Sequence, residues 1–229
     1  MSESEPLRVA AGSPEGSELP ALLLMPEKAT ALLVFAHGAG AGMRHPFMES
    51  LAVALAEAGL ATLRWEFPYM AAGRRRPDRP PAAVAAVRQA VDAARRVRDD
   101  RIPRARLIAG GKSFGGRMTS TAASESHLEG VAGLALVGFP LHPVGRPGSD
   151  RAAHLLSVDV PVLVLQGTRD KMGAVELLEP IVATLPHGSS LHIEDDADHG
   201  FHVRKRSGRE DADVVRSLAR GLARWADTL

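Results

Sequence analysis

The chain contains no cysteine. That excludes disulfides, a thiolate nucleophile and cysteine-ligated metals, and it suits a reducing compartment. Charge of one dominant sign is also lacking, since 28 Lys and Arg oppose 27 Asp and Glu for a formal net charge of +1. Such a balance supplies no field for gathering nucleic acid or an anionic membrane. No apolar run approaches the roughly 20 residues needed to cross a bilayer. Met1 to Pro6 is acidic and polar, without the basic-then-apolar order of a secretory signal. The expectation is a soluble, cytoplasmic protein without nucleic-acid or membrane partners. Lysine is scarce beside arginine, and codon bias accounts for this without a binding role.

What is present is a globular composition: 229 residues, 45% hydrophobic and 24% charged, a length suited to one α/β domain over residues 1–229. Short apolar runs alternate with longer amphipathic stretches. Leu19–Met25, Ala31–Ala36, Leu60–Trp65, Ala105–Ala109, Val131–Val137, Val162–Leu165 and Leu191–Ile193 read as strands, with Leu7–Ala10 as an edge strand. Phe47, Leu51 and Leu55 stripe a helix over Pro46–Ala58. Asp78 and Pro80–Pro81 mark the start of another, striped by Val84, Val87, Val91, Ala94 and Val97 to about Arg98. Further helices are expected from Phe114 to Ser124, over Val175–Leu185 and through Val214–Trp225, with a short one at Asp150–Leu156. Strand–helix alternation along the whole chain implies a doubly wound, mostly parallel sheet covered on both faces, a three-layer α/β/α sandwich. The only linker-like segment is Gly73–Pro81.

Ligands of such sheets bind beyond the carboxyl ends of the strands, so the polar residues just after each strand carry the information. Gly111-Lys112-Ser113-Phe114-Gly115 joins a strand to a helix. A Gly-x-Ser-x-Gly turn there presents the serine on a strained elbow and aims the Phe114 amide at a developing oxyanion. The plainer alternative is a glycine-rich turn with an incidental serine. A phosphate-binding P-loop is excluded, because it requires glycine where Arg106 stands. His37-Gly38-Ala39-Gly40 follows Leu32–Ala36, and its small residues allow the Ala39 amide to be the second oxyanion donor. His37 itself reads as a brace for this loop or, less directly, as a base. Gln166-Gly167-Thr168-Arg169-Asp170 offers a carboxylate that is either a turn former or the partner of a histidine ring. Asp198-His199-Gly200-Phe201-His202 offers His199 as general base, with His202 as the second candidate. The acidic run Glu194–Asp198 reads as a solvated loop and as a reserve source of the acid.

Taken in chain order, Ser113, Asp170 and His199 follow the sequence of the α/β-hydrolases. The chain resembles that superfamily over nearly its whole length. Gly110-Gly111-Lys112-Ser113-Phe114-Gly115-Gly116-Arg117 and Gly138-Phe139-Pro140-Leu141-His142-Pro143 are similar to its dienelactone-hydrolase-related branch. That branch also holds bacterial relatives of a subunit of the non-specific-lethal chromatin complex. The resemblance implies an eight-stranded sheet with antiparallel first strands and a serine triad that requires no metal or cofactor. True dienelactone hydrolases have a cysteine where this chain has Ser113, so their substrate is not carried over.

The expected reaction is acyl transfer to water: Ser113 attacks an ester or related carbonyl, His199 takes its proton and Asp170 stays ionised. Trp65, Phe67, Tyr69, Leu141 and His142 are candidates for the substrate pocket rim, or ordinary packing. Arg74-Arg75-Arg76 with Arg79 is either a solvated loop or a gate favouring anionic substrates. The interval from Phe114 to Asp170 leaves little or no room for a cap, so the site is expected to be open or covered only by Met70–Pro81. A small-molecule acyl substrate follows, and homodimerisation is compatible with the sequence. The competing class is a hydrolase fold retained as a non-catalytic interaction module, although a scaffold has no reason to keep strained geometry.

Overall fold

The computed structural model describes residues 4–10 and 18–229; part of the acidic Met1–Pro6 start lies outside them. Eight strands form one sheet: β1 (Glu5–Ala10), β2 (Glu18–Leu24), β3 (Ala31–Ala36), β4 (Leu60–Trp65), β5 (Arg106–Lys112), β6 (Val131–Val137), β7 (Val162–Gly167) and β8 (Ser190–Glu194). Their spatial order is β1-β2-β4-β3-β5-β6-β7-β8. β2 is antiparallel to both β1 and β4, and every later pairing is parallel.

Continuous apolar strands are explained by two cores. All six residues of β3 are buried. Leu32, Val34 and Ala36 belong to one core, while Ala31, Leu33 and Phe35 belong to the other, as the two-residue period of a strand requires. Helices α1 (Pro46–Glu57) and α6 (Asp211–Ala226) cover the second core. The first core is covered by α3 (Pro80–Arg101) and α4 (Phe114–Glu125), with α5 (Val175–Val182) and a 3₁₀ segment at Asp150–Ser157 farther along the sheet. A short helix, α2 (Pro68–Ala71), follows β4.

The helices depart from expectation mainly at their ends. α3 continues a turn beyond Arg98, where Arg98 and Arg101 complement the negative pole of the helix. α5 stops at Val182 instead of Leu185. It contains Pro180, which lacks the N–H of an interior helical residue, and the chain tightens into i→i+3 bonds at Thr184 and Leu185. Asp78 does not cap α3, whose cap is Arg79; its Oδ2 instead accepts the Tyr69 amide of α2 at 2.9 Å. Among the described residues no helix is long and apolar enough to cross a membrane.

Candidate active site

The site is assembled at the carboxyl ends of β3, β5, β7 and β8. β3 and β5 are neighbours, with Ala36 level with Gly111. The loop after β3 therefore lies beside the turn after β5. Close packing continues into α4: a Cβ added to Gly111 would fall 2.5 Å from the carbonyl carbon of Gly115, and only glycine permits that approach. Between them, Ser113 has φ 51° and ψ −113°. A β-carbon in this region costs about 1–3 kcal/mol, which the surrounding sheet and helix must offset.

Ser113 Oγ lies 2.9 Å from His199 Nε2, and His199 Nδ1 lies 2.7 Å from Asp170 Oδ2. The carboxylate can only accept, so Nδ1 carries the proton and Nε2 is left to accept from the serine hydroxyl. Asp170 is itself held: Oδ2 also accepts from Gln166 Nε2 at 2.7 Å, and Oδ1 accepts the Met172 amide at 2.8 Å. Gln166 is fully buried, donates also to Gly173 O and accepts the Phe139 amide at 2.9 Å. Its amide thus fixes the carboxylate against the end of β6. This arrangement can draw a proton from the serine and return it to a leaving group.

The loop after β3 is braced from below. His37 Nδ1 donates to Gly38 O at 2.8 Å, and Nε2 faces the Phe67 amide at 3.1 Å and Glu66 Oε2 at 3.2 Å, so both ring nitrogens are committed to bracing the loop. Tyr69 Oη accepts from Gly40 N at 3.1 Å, and Ala41 N donates to Gly38 O. The Ala39 amide has no acceptor among the described residues. The Phe114 amide, first of α4, has no acceptor within its helix. Ala39 lines the same cavity as Ser113.

That cavity is about 360 Å³, and its wall includes Ala39, Ala41, Phe47, Met48, Met172 and His199. The expected rim residues are elsewhere. Trp65 is buried against Phe67, with ring centroids 4.4 Å apart, and Tyr69 is buried under the β3 loop. Leu141 and His142 are buried as well; the His142 amide bonds Met172 O, so it supports a wall residue without being one. Alternation along a strand end tells which residues turn inward, not which of the inward ones meet solvent. The Met70–Pro81 segment contributes nothing to the cavity wall and is not its lid. Arg74, Arg75 and Arg76 are exposed, and Arg74 pairs with Asp78 at 2.7 Å. A larger groove, about 590 Å³ between α1 and α6, shares Phe47 and Gly200 but holds none of Ser113, His199 and Asp170.

His202 is exposed and bonds Asp211 Oδ2 at 2.8 Å, away from the serine. The acidic run is not a solvated loop. Glu194 is buried with Arg209 and His192, and Asp196 accepts from the Arg204 side chain and amide. Asp198 Oδ1 accepts the Gly200 and His202 amides and shapes the turn that presents His199. These acids are consumed by structure, and Asp170 alone reaches the imidazole. Among the described residues no cluster of three or more His, Asp or Glu could hold a metal ion.

The strand order, the elbow after β5 and the histidine loop after β8 define an α/β hydrolase. The chain belongs to the α/β-hydrolase domain family, whose model matches residues 29–227. Over nearly its full length it is similar to a dienelactone hydrolase from Anabaena variabilis, at 23% identity and a TM-score of 0.76, covering 98% of this chain and 96% of that one. A serine hydrolase without lid from Xanthomonas campestris is 24% identical, with a TM-score of 0.72 and coverage of 97% and 95%. Est1E from Butyrivibrio proteoclasticus, solved with ferulic acid bound, is 14% identical, with a TM-score of 0.73 and coverage of 97% and 100%. At these identities the likeness concerns the fold, and it is consistent with the dienelactone-hydrolase-related resemblance.

Proposed function

We propose that the protein is a serine hydrolase that cleaves an ester or related acyl bond of a small substrate through an acyl-enzyme on Ser113. The observation that carries this reading is the continuous relay from Ser113 Oγ through His199 to Asp170 Oδ2, with the serine held in strained dihedrals. His199 takes the serine proton as Oγ attacks the carbonyl carbon, and the Ala39 and Phe114 amides receive the oxyanion. Each such donor is typically worth about 10²–10³ in rate. Asp170 stabilises the imidazolium and stays ionised. Collapse of the tetrahedral intermediate expels the leaving group with the proton from His199. Water, deprotonated by the same imidazole, then attacks the ester carbon and frees Ser113.

The apolar cavity beside Ser113 suits the acyl group, and its volume suits a small one. A leaving group must be reachable by His199. A second cavity of about 610 Å³ is lined by His199, Gly200, Met172, Arg169, Lys171 and Val144, and not by Ser113, which fits the departing half. The test is labelling by a fluorophosphonate probe and turnover of a p-nitrophenyl ester. Ser113→Ala is expected to abolish both. Labelling that survives the substitution sinks the assignment, and a wild-type protein that takes no label favours a non-catalytic module.

A further inference from the structure

Lys112, between Gly111 and the serine, has no place in the relay, yet its side chain is almost completely buried. Its methylene stem passes the loop after β3, with Cγ 3.7 Å from where a Gly38 Cβ would stand. Its ammonium ends 2.6 Å from the carbonyl oxygen of His199. Two aromatic rings flank it: Nζ lies 5.9 Å from the Phe47 centroid and 5.4 Å from that of Phe201. Those rings stack on each other at 5.4 Å with planes 12° apart. Phe201 holds φ 63°, a conformation bulky side chains avoid. The space for the ammonium exists because residue 138 is glycine at φ 61°; a Cβ there would fall 2.7 Å from Nζ.

A buried cation without a carboxylate in contact carries a large desolvation penalty, and a methionine of similar shape would fill the space without it. Lys112 nevertheless joins the nucleophile strand, the end of β6, helix α1 and the histidine loop. We infer that Lys112 is a positioning residue: its ammonium clamps the His199 carbonyl and the Phe201 ring, holding the imidazole in register with the serine beside it. The inference rests on the reading of Ser113 as nucleophile and adds how its base is kept in place. Charge is part of the clamp, since a charged donor makes a stronger bond than a neutral one and a cation is attracted by the negative face of a ring. The charged and titratable groups around it are Asp170 after β7, Asp198 and His199 in the histidine loop, and His45 before α1, which lines the same cavity. Burial pushes the ammonium down to about 8, against the opposing pull of Asp170 and Asp198. The clamp therefore weakens as pH rises through that value.

The experiment compares wild type and Lys112→Met in p-nitrophenyl acetate kinetics across roughly pH 6 to 10. In the variant, kcat is expected to fall about tenfold or more with KM changed less than about threefold, because the base is misaligned while methionine keeps the apolar stem that Lys112 contributes to the cavity wall. The wild-type alkaline limb near pH 8 is expected to disappear with the lysine. An unchanged kcat, a loss confined to KM, or a limb that persists in the variant overturns the inference. Should Lys112→Met fail to fold, Phe201→Leu, which removes a ring that the ammonium rests against, is read in the same way: a kcat within about twofold of wild type refutes the clamp. A wild-type protein that takes no fluorophosphonate label refutes the nucleophile instead. A labelled wild type beside unaltered Lys112→Met kinetics refutes the lysine's role alone.

Discussion

Replacing Gly115 by alanine tests whether the contact between α4 and the loop after β3 sets the catalytic geometry. A Cβ on Gly115 would lie 2.5 Å from Ala36 O and 2.6 Å from His37 O. Ordinary carbon–oxygen contact is near 3.4 Å, so the helix and the loop must separate by about 0.8–0.9 Å. Both neighbours are backbone, and neither can swing aside as a side chain would. Forcing a methyl into a packed site typically costs about 1–3 kcal/mol. Alanine in a helix recovers about 1 kcal/mol over glycine, so the net expectation is a loss of about 0–2 kcal/mol. Activity suffers more. The separation moves the Phe114 amide away from the Ala39 amide, and displacement of about 1 Å can cost on the order of 10²-fold in rate. Urea unfolding reads the first quantity; the fluorophosphonate labelling rate and kcat read the second. Gly148→Ala is the control, because a Cβ there meets nothing within 4 Å. If Gly115→Ala unfolds within about 0.5 kcal/mol of wild type and labels as fast, the contact does not govern the site.

Asp170→Asn is expected to lower kcat by about 10³–10⁴ while the fold persists, because the imidazole loses the partner that sets its tautomer; a loss below tenfold refutes that role. His202→Gln is expected to leave kcat within about twofold of wild type, since His202 faces solvent and Asp211, whereas His199→Gln removes the proposed base and is expected to abolish turnover. Equal losses in the two variants would contradict the assignment. Asp196 is held down to about 2, chiefly by the Arg204 side chain, below its ordinary 3.8. Its contribution to stability is thus present above about pH 4 and is lost as pH falls through about 2. Unfolding free energies measured against pH are expected to show a shallower acid slope in Arg204→Met, and an identical slope would exclude the pair as its source.

The interior strands were legible because they are apolar runs covered on both faces, and the elbow because glycines flank a serine between a strand and a helix. The residues after β3, β5, β7 and β8 could be read as a site for the same reason: topology brings strand ends together whatever the loops do. Other features left no such trace. α2 is four residues long, too short for a helical period to show. Trp65 and Tyr69 follow a strand end as pocket residues would, but they face the core side of the β3 loop. Glu194 and Asp196 read as solvated, because their partners Arg209 and Arg204 come from a later part of the chain. Lys112 read only as a fragment of a failed phosphate motif; its burial depends on Gly138, Phe47 and Phe201, three residues from three separate segments. Gln166 was quoted within a motif, yet its hold on Asp170 became visible only with the geometry.

Ser113 and His199 are 86 positions apart, and Asp170 is 29 before the histidine. The serine comes from the interior strand β5, whereas the other two follow β7 and the outermost strand β8. A nascent chain that has folded only through β6 carries the elbow without a base, and its serine is an ordinary alcohol. Fraying of the β8 edge in a finished molecule has the same effect, and edges are where local opening is easiest. On the proposed reading, reactivity toward a covalent probe is thus a property of the completed sheet. Its decay in mild denaturant would count the molecules whose last strand is still docked, a tally that helix content alone would miss.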